Sequence, residues 1–522
     1  MKITTSSIPD FEKLISEGYL YVDKTEYIWN LINPAGESYF LSRPRRFGKS
    51  LTVSTLEAIF RGRKDLFKGL AIYDKDYDWK EYPIIHLSFG DYNVVSDALQ
   101  ELPDYLMAKV QRIAEEHGIQ VTGTTPGLRF GDLIDKLSSK SSVVILVDEY
   151  DKPILDNISD SRIKEIQKCL KGFFSILKDR NKLERLLFVT GVSKFAQVSL
   201  FSDLNNLTDI SMDSRYACLC GYTQEEFESY FAEYINMAAK KLDMSRKDFL
   251  QEMKRMYDGY RFSKNAETVY NPVSVAKFFN SQEPDFSYYW FETGTPAFLL
   301  DYCRKTNYDF ETKLKEPIPA IAFSAYDVDN ISPSALLYQT GYLTIKDAFT
   351  KNRRTYYQMQ FPNDEVAWAF EVYLLKAYTG VQTEDITTLA SSLVDSIATG
   401  NADEVMALIK SFFSKIPYPI QIEDEKYYQS LFYAIFILLK VDIEAEACTN
   451  DGRIDATSAA GDWRFIFEFK LNKTAEIALD QIEKKEYFQK YRNSGKRIML
   501  VGANFSFEKR QITEWISKEY IP

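Results

Sequence analysis

The stretch Ser-Tyr-Phe-Leu-Ser-Arg-Pro-Arg-Arg-Phe-Gly-Lys-Ser, residues 38–50, indicates how the first part of the chain folds. Ser38–Ser42 is a short apolar segment typical of a buried strand, and Ser50–Phe60 has the composition of a helix. Between them, Gly48 and Lys49 supply a tight turn and a cation just before the hydroxyl group of Ser50. Free backbone amides at a helix start and a nearby lysine attract phosphate oxygens. The stretch therefore predicts a phosphate-binding loop.

Two positions of this loop depart from the usual phosphate-loop pattern. Arg43 stands five positions before Gly48, where a glycine is usual, and Pro44 has no backbone amide to donate. Arg45 and Arg46 are candidates to add positive charge at the phosphates, although a solvated loop or an ion pair between domains would also account for them. On its own, a Gly-Lys-Ser tripeptide is weak evidence for a nucleotide site.

A second element strengthens the nucleotide prediction. Val143–Val147 is a continuous apolar segment followed directly by Asp148 and Glu149. In phosphate-loop proteins an aspartate at the end of such a strand holds Mg²⁺, and an adjacent acidic residue can polarise the attacking water. Thr190 and Ser193, at and beyond the end of the next predicted strand, are candidates to sense the γ-phosphate. The alternative interpretation is a buried strand followed by an acidic loop.

Predicted strands alternate with predicted helices over the first 210 residues, and this alternation favours an α/β fold with a parallel sheet covered on both faces. The strands are predicted at 38–42, 83–89, 142–147 and 185–190, and the helices at 50–60, 97–117 and 163–179. From about residue 221 the pattern predicts mainly helices, as far as residue 410. The last hundred residues predict a second α/β region that ends with a strand at 497–501 and a final helix.

Composition limits the classes of protein to which this chain can belong. Its 522 residues, 45% of them hydrophobic, are enough for several packed domains. A net charge of −11 argues against a surface that binds nucleic acid everywhere, but 64 lysines and arginines leave room for a local basic groove. The five cysteines have neither disulfide nor zinc spacing, and no signal peptide or membrane-spanning segment is evident. We expect a cytoplasmic protein without a membrane partner.

Several motifs together resemble the bacterial AAA-ATPase-like family. They are YVDKT (Tyr21–Thr25), LSRPRRFGKSL (Leu41–Leu51), VDEYD (Val147–Asp151), LNNL (Leu204–Leu207), YDGY (Tyr257–Tyr260) and YNP (Tyr270–Pro272). An arginine-rich loop without its first glycine is typical of that family, so Arg43 agrees with the family pattern at this position. The resemblance covers roughly residues 5–300 and implies a P-loop domain with a helical lid.

The resemblance also implies the cofactors and the residues that bind them, namely ATP and Mg²⁺. The nucleotide would be bound by Arg45, Arg46, Phe47, Gly48, Lys49, Ser50, Leu51, Asp148 and Thr190. Within this set, Lys49 would contact the β- and γ-phosphates, while Ser50 and Asp148 would hold Mg²⁺. Glu149 would be the catalytic residue that positions water.

A second decisive stretch is Phe-Ile-Phe-Glu-Phe-Lys, residues 465–470. Side chains alternate along a strand, so Glu468 and Lys470 share one face and the phenylalanines take the other. A carboxylate and an ammonium are costly to bury in an apolar strand unless they meet partners. Asp455 lies thirteen residues before Glu468, and the polar turn at 459–462 predicts a hairpin that brings the two carboxylates together.

These side chains are the types that metal-dependent cleavage of a phosphodiester requires. Asp455 and Glu468 would hold Mg²⁺, which prefers carboxylate oxygens, and Lys470 would neutralise developing charge. Gln481, on a helix predicted at 475–491, would bridge the Lys470 region and the phosphate. Glu425 or Glu446 are further candidates for the acidic cluster. The alternative for the Glu-x-Lys pair is an exposed edge strand with an ordinary ion pair.

The order of Asp455, Glu468, Lys470 and Gln481 resembles the PD-(D/E)XK nuclease superfamily, in the branch that follows an AAA-ATPase-like domain. The resemblance covers about residues 420–520 and implies a restriction-endonuclease-like domain with Asp455, Glu468 and Lys470 as the active site. Ile454 stands where the superfamily name has proline.

The sequence therefore predicts an α/β multidomain protein. The predicted domains are a P-loop domain (1–215), a helical lid (216–300), a helix-rich middle domain (301–419) and a nuclease-like domain (420–522). We expect an ATP-binding and ATP-hydrolysing protein coupled to a Mg²⁺-dependent nuclease, with DNA favoured over RNA as its partner. The alternative is a nucleotide-switched signalling or scaffold protein whose nuclease-like fold is catalytically silent. The sequence leaves the oligomeric state open.

Overall fold

The structure is a computed structural model that describes residues 2–5, 7–33, 35–93, 98–157, 162–194, 200–201, 204, 206–290, 316–323, 332–416, 435, 456–492, 494–506 and 508–521. The chain forms two compact units. The first contains Met1–Gly294 and Lys313–Val366, and the second contains Thr295–Thr312 and Ala367–Pro522. The finer division into four domains stays a prediction. No helix among the described residues is long and apolar enough to cross a bilayer.

A five-stranded sheet forms the centre of the first unit. Its strands are β1 (Glu37–Ser42), β2 (Ile84–Ser88), β3 (Val143–Asp148), β4 (Glu184–Gly191) and β5 (Leu207–Asp209). They run in the order β2-β3-β4-β1-β5, and all neighbouring pairs are parallel. Every residue of β3 and β4 is buried, as expected for central strands of a covered parallel sheet. The predicted α/β class is confirmed.

Helices of the first unit surround this sheet and continue beyond it. They are α1 (Phe11–Ser16), α2 (Thr25–Ile32), α3 (Lys49–Phe60), α4 (Ala98–Glu116), α5 (Pro126–Ser138), α6 (Lys152–Leu155), α7 (Ile163–Phe174), α8 (Gln224–Tyr230), α9 (Ala232–Lys241), α10 (Arg246–Tyr257), α11 (Pro272–Asn280) and α12 (Pro333–Thr340). Helices α8 to α11 pack around an aromatic core that includes Phe227, Phe249 and Tyr270. Thr223 and Glu226 form a capping box at the start of α8.

A small antiparallel sheet lies within residues 270–410, where mainly helices were expected. Its strands are β6 (Ile318–Pro319), β7 (Thr344–Lys351) and β8 (Arg354–Gln360). The β7–β8 hairpin turns at Asn352 and Arg353, which both have positive φ values, of 51° and 62°. Two consecutive residues with positive φ values form a two-residue hairpin turn, and the backbone twist of this turn matches the twist of the two paired strands. The period-two pattern of Tyr356, Gln358 and Gln360 was the local signal for this strand.

The second unit combines helices with a four-stranded mixed sheet. Its helices are α13 (Asp364–Thr379, which begins in the first unit), α14 (Thr383–Ala398), α15 (Ala402–Ser414) and α16 (Ala475–Lys484). Its strands are β9 (Ala456–Ala460), β10 (Trp463–Leu471), β11 (Arg497–Ser506) and β12 (Gln511–Tyr520), in the order β12-β11-β10-β9. Strands β10 and β11 are parallel, whereas β9 and β12 run antiparallel to their neighbours.

The prediction of a final helix is wrong, because β12 occupies that place. Residues 511–520 contain two glutamates, a lysine and a glutamine, a composition that also suits a helix, but they pair with β11 along its length. Long-range pairing decides the conformation of such a segment, because strand preference depends strongly on tertiary context. Apart from residue 435, the part of the second predicted α/β region between residues 425 and 455 lies outside the described residues.

Candidate nucleotide and nuclease sites

The phosphate loop connects β1 to α3. Gly48 is the residue before α3 and has a φ of +91°, a conformation that costs a side-chain-bearing residue free energy. Lys49 is the first residue of the helix, and its buried ammonium donates to the carbonyl oxygens of Arg43 at 3.0 Å and Pro44 at 2.9 Å. Burial lowers the pKa of Lys49, while Asp148 acts in the opposite direction. The backbone of the loop thus surrounds the Lys49 ammonium group.

Arg43 is a structural residue at the position where a glycine is usual. Its side chain is buried, and its guanidinium donates to the carbonyl oxygens of Ser42 at 2.8 Å, Ser211 at 2.7 Å and Tyr216 at 3.0 Å. It also lies 4.3 Å from the ring centre of Phe262. Arg43 therefore ties the end of β1 to two other segments of the first unit.

Phe47 anchors the other side of the same loop. Its ring is buried and meets Tyr260 and Phe262 edge to face, with ring centres 4.7 Å and 5.4 Å away. Arg45 and Arg46, which lie between the two anchors, are exposed, and Arg46 has a φ of 70°. The arginines are therefore held in place by buried neighbours while their charges stay accessible.

The acidic residues predicted for the nucleotide site lie at the end of β3. Asp148 is buried, and its Oδ1 accepts a hydrogen bond from Thr190 Oγ1 at 2.8 Å and from the Glu149 amide at 3.0 Å. Because β3 and β4 are adjacent parallel strands, their carboxyl ends bring Asp148 and Thr190 together. Burial raises the pKa of Glu149, and the nearby Asp148 adds to that shift.

A cavity of about 560 Å³ lies beside the phosphate loop. One group of lining residues is mainly polar and consists of residues 45–52 with Glu149, Asp151 and Lys152. A second group is mainly apolar and comes from residues 20–22 and 219–222, among others. Within the described part of the chain, the lining includes all the loop residues predicted from Arg45 to Leu51, but neither Asp148 nor Thr190.

The nuclease-like site lies on the central strand β10. The Glu468 carboxylate is 1% exposed; its Oε1 accepts a hydrogen bond from Lys470 Nζ at 2.7 Å and another from Gln481 Nε2 on α16. Gln481 also lies 3.5 Å from the Tyr487 hydroxyl. Since β10 lies between β9 and β11, the alternative of an exposed edge strand is wrong. The structure thus brings Glu468, Lys470 and Gln481 together.

The packing of α16 on the sheet sets the distance between Gln481 and Glu468. Gly502 of β11 is paired with Glu468, and a Cβ atom there would clash with the Leu479 amide nitrogen. The absence of a side chain lets the helix rest directly on the strand. On the opposite face of β10, Phe465, Phe467 and Phe469 stack in sequence, which confirms the predicted alternation.

The acidic partners predicted for Glu468 are Asp455, Glu425 and Glu446, and all three lie outside the described residues. Ala456, the residue after Asp455, pairs with Phe467, the residue before Glu468, so the predicted β9–β10 hairpin is confirmed as far as it is described. Among the described residues, no three Asp, Glu, His or Cys side chains lie together as a metal site.

Comparison with known proteins agrees with the two halves of this geometry. The family profile described as predicted AAA-ATPase matches residues 5–201, and that of the PD-(D/E)XK nuclease superfamily matches residues 423–515. An uncharacterized protein from the vnfD 5′ region of Azotobacter chroococcum is 38% identical over 517 residues, which cover 96% of each chain. The chain belongs to the AAA-ATPase-like family. A Walker-type ATPase of Pyrococcus abyssi matches 70% of this chain and 97% of its own, at 10% identity and a TM-score of 0.33.

Sequence reasoning missed Asp151 as a site residue of this AAA-ATPase-like chain. Asp151 is buried and lines the nucleotide cavity, and its carboxylate accepts hydrogen bonds from the Val192 amide at 3.1 Å and from the Ser193 amide and hydroxyl, both at 2.7 Å. Ser193, predicted as a γ-phosphate sensor, is therefore held by Asp151. The signal was present in the sequence, because the VDEYD motif carries this second aspartate three residues after Asp148.

Proposed function

We propose that this protein binds and hydrolyses Mg²⁺-ATP in its AAA-ATPase-like domain and cleaves nucleic acid, with a divalent metal, in its C-terminal domain. The observation that carries the nuclease half is the buried carboxylate of Glu468, contacted by Lys470 and Gln481 on a central strand. DNA is the favoured substrate over RNA, and the proposed location is the cytoplasm.

In the nucleotide half, the proposed roles follow the walls of the cavity. Lys49 would contact the β- and γ-phosphates from the start of α3, and the exposed Arg45 and Arg46 would add positive charge. Glu149 would accept a proton from the attacking water. Its raised pKa supports this role, because a base is most effective when its pKa approaches the working pH.

The donor set beside the loop fits a hard cation. The Ser50 hydroxyl and the Asp148 carboxylate offer the oxygen ligands that Mg²⁺ prefers, and the Thr190 hydroxyl fixes the orientation of Asp148. When bound, Mg²⁺ neutralises charge on the phosphate oxygens. Thr190 is thus proposed to act on the nucleotide site through Asp148.

In the nuclease half, Glu468 supplies one carboxylate for a metal, and Asp455 is proposed as the second because its neighbour Ala456 pairs beside Glu468 in the register. A divalent metal at this site lowers the pKa of its bound water and stabilises charge on the phosphate. Lys470, whose side chain is 19% exposed, would donate to a phosphate oxygen. Gln481 would hold the Glu468 carboxylate in orientation.

The test measures both activities on the purified full chain. ATP hydrolysis is followed by phosphate release, and cleavage by the conversion of supercoiled plasmid and labelled single-stranded DNA or RNA, with Mg²⁺ or Mn²⁺. We expect Glu149→Gln to retain ATP binding and lose hydrolysis, and Lys470→Met to lose cleavage while retaining ATP hydrolysis. Lys484→Met, an exposed lysine of α16, is the matched control for Lys470.

Two results would contradict the proposal. Cleavage that is unchanged in Lys470→Met would remove the nuclease assignment from this site. ATP binding without turnover, together with no cleavage by the wild-type protein, would favour a nucleotide-switched scaffold with a silent nuclease-like fold.

A further inference from the structure

The YVDKT motif has no part in the phosphate chemistry proposed above, yet three of its residues line the nucleotide cavity. They are Tyr21, Val22 and Lys24. Another part of the lining comes from Leu219–Tyr222, which precede α8. The motif therefore forms a wall of the same cavity as the phosphate loop.

The Lys24 ammonium is buried and fully occupied by protein groups. Lys24 is 8% exposed, and its Nζ donates to the Cys218 carbonyl oxygen at 2.8 Å and to both carboxylate oxygens of Glu226, at 2.7 Å and 2.6 Å. An ammonium group has three donors, and these contacts use all three. Lys24 thus acts on the shape of the cavity and does not itself donate to a ligand.

The partners of Lys24 flank this second part of the lining, which forms another wall of the cavity. The Cys218 carbonyl directly precedes Leu219, the first lining residue of that wall. Glu226 lies in the first turn of α8, where its carboxylate also accepts from the Thr223 amide at 2.8 Å and completes the capping box. One ion pair therefore joins the YVDKT wall to the start of α8.

The residues on either side of Lys24 fix the motif to the body of the first unit. Asp23 accepts hydrogen bonds from the Thr25 amide and hydroxyl at 2.8 Å and 2.7 Å, and from the Ala71 amide at 2.7 Å. Thr25 in turn accepts from the Ile72 amide at 3.0 Å. These contacts hold the backbone of residues 23–25, so Lys24 reaches Glu226 from a fixed position.

The two joined walls contribute mainly apolar residues to the lining of the cavity. Leu20 and Val22 come from one wall, and Leu219 and Tyr222 from the other. Apolar and aromatic surfaces with few polar groups are typical of the part of a site that receives a flat ring system. We call residues 20–24 and 219–222 the base slot.

We propose that the Lys24–Glu226 ion pair is a positioning element that holds the two segments of the base slot in the arrangement that receives the base of a bound nucleotide. This inference rests on the proposed nucleotide site and adds the part of the protein that recognises the base. It predicts that loss of the pair weakens the contribution of the base and ribose to binding and spares the contribution of the phosphates.

The test is isothermal titration of the full chain, with Mg²⁺ present, using ATP and inorganic tripolyphosphate as separate ligands. Lys24→Met keeps the length of the side chain and leaves the partly buried Glu226 without its cation. We expect its affinity for ATP to fall at least about 10-fold and its affinity for tripolyphosphate to change less than about 2-fold. Glu226→Gln, which keeps a polar group at the helix cap, should show the same selectivity.

The double variant Lys24→Met, Glu226→Gln should bind ATP more tightly than either single variant, because neither charge is then left without its partner. Lys49→Met serves as the phosphate-end control and should weaken both ligands. Equal losses for ATP and tripolyphosphate in Lys24→Met, or no loss for either, would overturn the inference. Unchanged binding of both ligands by Lys49→Met would instead overturn the nucleotide site itself. Should Lys24→Met fail to fold, as judged by circular dichroism, Glu226→Gln tests the same selectivity with the same two ligands.

Discussion

Replacing Arg43 with glycine would restore the usual first glycine of a phosphate loop, and we predict that it damages the protein. The Arg43 guanidinium is buried and donates to three carbonyl oxygens, which would lose their donors. A hydrogen bond to a charged group contributes about 1.5–3 kcal/mol, so three at the lower limit give about 4–5 kcal/mol. Contact with the Phe262 ring adds about 1 kcal/mol. The expected loss of stability is on the order of 5 kcal/mol.

Hydrogen exchange measured by mass spectrometry suits this prediction, because it reports on one segment of a two-unit protein. The free energy of opening for peptides that cover β1 and α3 should fall in Arg43→Gly, and ATP affinity should fall with it. Arg45→Gly, an exposed neighbour in the same loop, is the control and should change local stability by no more than about 0.5 kcal/mol. Retained exchange protection together with tighter ATP binding in Arg43→Gly would refute the structural role of this arginine.

Three further predictions concern Gly259, Gly502 and Glu365. Gly259→Ala should abolish native folding of the first unit, since φ is +102° and the new Cβ would overlap the Pro362 carbonyl oxygen; thermal unfolding like that of the wild type would contradict this. Gly502→Ala should push α16 away from the sheet and separate Gln481 from Glu468. The rate of DNA cleavage should therefore fall at least about 10-fold. An unchanged rate would contradict this role of Gly502. Burial raises the pKa of Glu365 to about 8, so the folded state holds a proton that the unfolded state releases near pH 4.5. Stability should therefore fall as pH rises from 4.5 to 8, and Glu365→Gln should flatten that slope in urea titrations at about pH 5, 7 and 9; an unaltered slope would exclude this carboxyl as the cause.

Local patterns were sufficient to predict the elements that carry the chemistry. The strand before the phosphate loop, the strand that ends in Asp148 and the strand with Glu468 and Lys470 each have a recognisable apolar pattern, and each is found close to its predicted bounds. Alternation of side chains placed Glu468 and Lys470 on one face of β10. The predicted helix after that strand brought Gln481 to the same face.

Long-range contacts account for what the sequence did not predict. The role of Arg43 depends on carbonyl groups of Ser211 and Tyr216, about 170 positions away in the chain, which no local pattern could reveal. Strand β12 has a composition that suits a helix and is extended because it pairs with β11. The β7–β8 hairpin was not predicted, because the aromatic residues around it were interpreted as the core of a helical region.

Cleavage of supercoiled plasmid DNA with Mg²⁺ by the full chain tests the central claim most directly. Glu468→Gln removes the buried carboxylate charge, whereas Glu476→Gln alters an exposed glutamate of α16 as a matched control. We predict that the wild type and Glu476→Gln cleave at similar rates and that Glu468→Gln is slower by at least about 100-fold, since even outer partners of metal ligands contribute about 10–100-fold. Equal cleavage by all three proteins, or none by the wild type with either Mg²⁺ or Mn²⁺ and with or without ATP, would contradict the account.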